Sequence, residues 1–115
     1  MTTQTEITVA GFRAFILRQP PDRTIDHSRA WSECAVGDYV EDCGGDRINA
    51  SVPFAHVMEK SGSLIARIVD KLLNHRGNIE GYYDWYPRDA GHYTIDTYGD
   101  LSNFIRIAEE TWRTL

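Results

Sequence analysis

The chain is 115 residues long, 42% hydrophobic and 25% charged, with a formal net charge of −5. Those values fit one globular domain over residues 1–115, with a single modest core. No apolar run approaches ~18 residues, which speaks against a membrane span; ten arginines and two lysines are scattered among seventeen acids, which speaks against direct nucleic-acid binding.

Residues 6–18 (EITVAGFRAFILR) are rich in β-branched and aromatic types and read as a strand, bent at Gly11. Phe15 and Leu17 fall on one face and Ala14 and Ile16 on the other, so both faces are apolar, as in a central strand. Gln19-Pro20-Pro21-Asp22 ends it, because proline cannot donate to a ladder. Residues 28–43 read as a helix capped by Asp26 or Ser28. At 100° per residue, Ala35, Val36, Tyr39, Val40 and Cys43 share an apolar face, while Glu33, Cys34, Asp38, Glu41 and Asp42 lie opposite and Trp31 sits at the border. Gly37 weakens this helix and Gly44-Gly45 stops it.

A second helix opens near Ser51, with Pro53 in its first turn, and breaks at Ser61-Gly62-Ser63. Leu64, Ile65, Ile68, Val69, Leu72 and Leu73 then form the stripe of a third helix over 63–75, capped by Ser63. Residues 79–86 and 92–98 read as a hairpin around Pro87-Arg88-Asp89-Ala90-Gly91. Asp100 or Ser102 caps a last helix over 101–114, with Leu101, Phe104, Ile105, Ala108 and Trp112 inward. The order β-α-α-α-β-β-α predicts an α+β fold: a three-stranded antiparallel sheet, made of the N-terminal strand and the C-terminal hairpin, packed with about four helices.

The net charge is concentrated. Residues 30–46 carry five acids (Glu33, Asp38, Glu41, Asp42 and Asp46) and no Lys or Arg. An acidic helix face of this kind, with Trp31 on its border, suits docking against a basic protein surface. The aromatic run is the second notable feature. In a strand, Tyr82 and Tyr86 share the face opposite Tyr83 and Trp85, and exposed tyrosines are frequent contact residues. Candidate partner-binding residues are therefore Trp31, Glu33, Asp38, Glu41, Asp42, Tyr82 and Tyr86.

Catalytic signals are weak. The histidines His27, His56, His75 and His92 lack ligand spacing, and HExxH, CxxC, GxSxG and phosphate-cradling glycine motifs are all missing. No metal or cofactor is expected. Cys34 and Cys43, nine residues apart on one helix, would point in opposite directions and stay free thiols. The N-terminus lacks the features of a secretory signal, so the expected location is cytoplasmic.

Two functional readings follow. The first is a small acidic binding protein that docks its acidic helix on a basic, nucleic-acid-binding surface of a partner. Inhibitors carried by phages and other mobile elements, such as anti-CRISPR and immunity proteins, offer an analogy of size and charge. The second is a small enzyme or ligand-binding domain with a pocket near the aromatic hairpin and His92.

Overall fold

The computed structural model describes residues 6–25, 35–74, 78–79 and 93–114, with side chains for 6–25, 35–70 and 94–110. Five helices dominate these residues: α1 (Val9–Arg18), α2 (Ala35–Asp42), α3 (Arg47–Ser61), α4 (Leu64–Asn74) and α5 (Tyr98–Thr114). Among the described residues, strand structure amounts to one short antiparallel pair, β1 (Asn78–Ile79) with β2 (Tyr93–Thr94), in the register Asn78 to Thr94 and Ile79 to Tyr93. The fold is helical, and the expected three-stranded α+β sheet is wrong.

The error begins at α1. Its buried residues are Phe12, Phe15 and Ile16, spaced three and four apart, whereas Ala14 is exposed. That is the period of a helix face, not of a strand covered on both sides. Thr8 starts the helix, its hydroxyl accepting the Gly11 N–H at 2.9 Å. Gln19, extended at φ −70° and ψ 151°, ends it, as the residue before proline must. Gly11 is not a bend: a Cβ there would run into the Tyr39 hydroxyl and come within 2.9 Å of Thr8 Oγ1.

The segment that pairs with the C-terminal half is the loop after α1. Thr24 bridges Thr97, the Ile25 N–H donates to the Asp96 carbonyl at 2.9 Å, and the Tyr98 N–H donates to Arg23 at 2.8 Å. These bonds come from the loop after α1 and not from residues 6–18, which the sequence pattern assigns to the sheet.

The amphipathic split of α2 holds over its described length except at Asp38, whose side chain is only 14% exposed. Ala35, Val36, Tyr39, Val40 and Cys43 are buried, and Glu41 and Asp42 are exposed. It closes in a Schellman arrangement: Gly45 N–H to the Val40 carbonyl and Gly44 N–H to Glu41, both 3.0 Å, with Gly44 at φ 85°. Helix α3 starts at Arg47, not near Ser51, because Asp46 caps it by accepting the Ile48 and Asn49 N–H groups. Pro53 is thus in the helix interior. Gly62, at φ 63°, terminates α3, and α4 buries Ile65, Ala66, Ile68 and Val69.

Helix α5 begins three residues earlier than expected, by a reciprocal cap. The Asp100 N–H donates to Thr97 Oγ1 and the Thr97 N–H to Asp100 Oδ2, both 3.2 Å. Tyr98, Leu101, Phe104, Ile105 and Ala108 face the core. One continuous cluster joins all five helices, and its centre is aromatic: Phe12, Phe15, Tyr39, Phe54 and Tyr98 meet at centroid distances of 5.4–5.9 Å.

Candidate functional site

The acids of α2 meet arginines from outside the acidic stretch. Asp38 lies on the side of α2 that meets α3 and α5, its side chain 14% exposed. The Arg47 guanidinium donates to its Oδ1, the Tyr98 hydroxyl donates to its Oδ2 at 2.7 Å, and Arg23 Nη2 stands 3.7 Å from Oδ2. Arg23 in turn lies over the Tyr98 ring, 5.2 Å from its centroid. Asp38 therefore joins α2, α3, α5 and the loop after α1. It is not the solvated contact residue that the helical wheel implies.

Glu41 and Asp42 stay at the surface, 66% and 45% exposed, yet both are paired. Arg47 Nε donates to Glu41 at 2.9 Å and Arg18 Nη2 to Asp42 at 2.7 Å. Asp46 is spent on capping α3, and the N–H groups of Ile48 and Asn49 hold its carboxyl below the usual aspartate range. The four carboxylates Asp38, Glu41, Asp42 and Asp46 thus stand among three guanidiniums, Arg18, Arg23 and Arg47. The local charge is −1 where the carboxylates alone would give −4.

A second surface feature adjoins these acids and escaped the sequence reading. Ile48 and Val52, one helical turn apart at the start of α3, are 76% and 45% exposed. Ile48 directly follows Arg47, the residue that ties α3 to Glu41. The available signal was an aliphatic pair at i, i+4 beside the acidic stretch; it was hidden by placing the helix start near Ser51.

Trp31, Glu33, Cys34, Tyr82, Tyr86 and His92 lie outside the described residues, so the Trp31 anchor and the aromatic hairpin with its pocket are not placed. Cys43 is a buried free thiol. Burial pushes the Tyr39 phenol above its ordinary range, with Cys43 adding to the effect. Among the described residues, no group of three His, Cys, Asp or Glu could hold a metal ion, and no helix is long and apolar enough to cross a membrane.

No protein-family model matches the chain, and no curated protein or solved structure shows significant similarity to it.

Proposed function

We propose that this protein is a binding module that docks the corner between the end of α2 and the start of α3 on a basic surface of a protein partner. The observation that carries this reading is the exposed aliphatic pair Ile48 and Val52 at the helix start that Asp46 caps and Glu41 meets through Arg47. Aliphatic side chains gain roughly 25 cal/mol per Å² when a partner covers them. Carboxylates around them orient and select a Lys- or Arg-rich surface. Because arginines already neutralise most of this charge, apolar contact supplies the affinity and the acids supply selectivity.

Such a face suits an inhibitor that occupies a nucleic-acid-binding surface, since carboxylates and phosphates compete for the same Lys and Arg side chains. The test is capture from a lysate of the source organism on immobilised protein, eluted in salt steps. Three double variants run in parallel, each checked for fold by circular dichroism: Ile48→Ser with Val52→Ser, Glu41→Lys with Asp42→Lys, and Tyr82→Ala with Tyr86→Ala. The expected result is a nucleic-acid-processing protein retained by the wild type and lost from the first two variants. Loss from the tyrosine variant alone would move the contact face to residues 79–86 and overturn the α2–α3 assignment.

A further inference from the structure

A groove of about 280 Å³ opens between α1, α4 and α5. Its floor is aliphatic, formed by Val9 of α1, Leu64, Ile65 and Ile68 of α4, and Ile105 of α5. Arg13 and Glu109 form one side. The same two residues, with Arg106 and Glu110, line an adjoining polar hollow. An apolar compartment and a polar one therefore meet at a single ion pair.

The geometry of that pair decides what the hollow can accept. Arg13 approaches Glu109 side-on: Nε lies 3.1 and 3.2 Å from the two carboxylate oxygens, and Nη2 lies 3.0 Å from Oε1. A guanidinium has five N–H donors. This pairing uses the Nε hydrogen and one Nη2 hydrogen, so three N–H donors, two of them on the Nη1–Nη2 edge, keep no acceptor among the described residues. The Arg13 side chain is 44% exposed, so its guanidinium is within reach of a ligand. A guanidinium edge matches a carboxylate in two parallel hydrogen bonds. Glu109, by contrast, has both oxygens engaged by Arg13 and is 24% exposed, which leaves less for a cationic head group.

We propose that this groove binds a small amphipathic carboxylate, with its alkyl body against the partly exposed Val9 and Leu64 and the edge of Ile65, and its carboxylate on the Arg13 guanidinium, in the hollow shared with Arg106 and Glu110. The volume sits just below the ~300 Å³ at which drug-sized pockets begin, which favours a short chain. The site is separate from the α2–α3 corner and does not depend on the docking reading above.

The test is titration of the full chain with sodium octanoate, 1-octanol and octylammonium, followed by amide shifts in ¹⁵N-labelled protein. Octanoate should shift Val9, Leu64 and Ile65 and bind about fivefold tighter than octanol, the upper end for an ion pair at a half-exposed site. Arg13→Gln should bring octanoate down to the level of octanol while leaving octanol unchanged. Equal binding of octanoate and octanol by the wild type would overturn the proposal, as would preference for octylammonium or the absence of shifts at these residues with millimolar octanoate. The wild-type comparison stands without the variant, should Arg13→Gln impair folding.

Discussion

Asp38 accepts hydrogen bonds from α3 and α5 and stands 3.7 Å from a third element's Arg23, so its removal should act on the whole fold and not on one surface. Asp38→Ala leaves Arg47 without one carboxylate and the Tyr98 hydroxyl without the acceptor at 2.7 Å. Breaking such a mostly buried pair costs about 3 kcal/mol. Glu41→Ala removes a carboxylate that is 66% exposed and should cost under about 0.5 kcal/mol. Urea unfolding of the two variants checks the contrast; equal losses would show that Asp38 has no special role. Gly11 is a second sensitive position. Helix propensity favours Gly11→Ala by up to ~1 kcal/mol, but its Cβ would meet the Tyr39 hydroxyl, which accepts the Thr8 N–H at 3.1 Å. Overpacking of this kind costs about 1–3 kcal/mol. The variant should melt at a lower temperature than the wild type, and a higher one would mean that Tyr39 yields freely.

At the scale of elements, caps decide where helices begin. Asp46 binds fewer protons folded than unfolded, because backbone N–H groups stabilise its ionised form. Its contribution is therefore present above the unfolded aspartate value of about 3.9 and is lost as pH falls through the lower folded value. Asp46→Asn keeps a capping oxygen that does not titrate in this range. The variant should melt close to the wild type near neutral pH and lose less on acidification; parallel acid limbs in scanning fluorimetry would contradict this. The same caps explain what could be read from the sequence. The inward residues Ile65, Ile68 and Val69 of α4 and Leu101, Phe104, Ile105 and Ala108 of α5, like those of α2, were legible because their apolar stripes are regular, whereas Leu72, Leu73 and Trp112 lie outside the described side chains. The strand expected at residues 6–18 failed because ten residues of alternating and three-to-four-spaced apolar types satisfy both periods. There the Thr8 cap and the approach of Tyr39, neither visible in the linear chain, select the helix. The acidic stretch was legible as composition, but its neutralisation was not: Arg18 stands 24 positions from Asp42, and Arg23 stands fifteen from Asp38. Pairings at that separation exist only after the helices have packed.

At the scale of the whole molecule, one hydrophobic cluster draws residues from every helix, with Phe12, Phe15, Tyr39, Phe54 and Tyr98 at its centre. Chain segments that share a core lose their packing together, which is the physical basis of all-or-none unfolding in small domains. Urea denaturation should therefore give a single midpoint, whether followed by far-UV circular dichroism or by the near-UV signal of the aromatic side chains. Substitutions on opposite sides of the cluster should move that one transition. Phe54→Ala in α3 should cost about 3–5 kcal/mol and Ile68→Ala in α4 about 2–5 kcal/mol, because both side chains are almost fully buried and their removal leaves cavities. In each variant the two probes should shift by the same amount. Separate midpoints would show that α4 and α5 unfold apart from α1–α3, and a loss under about 1 kcal/mol for Ile68→Ala would mean that the α4 stripe contributes little to the shared core.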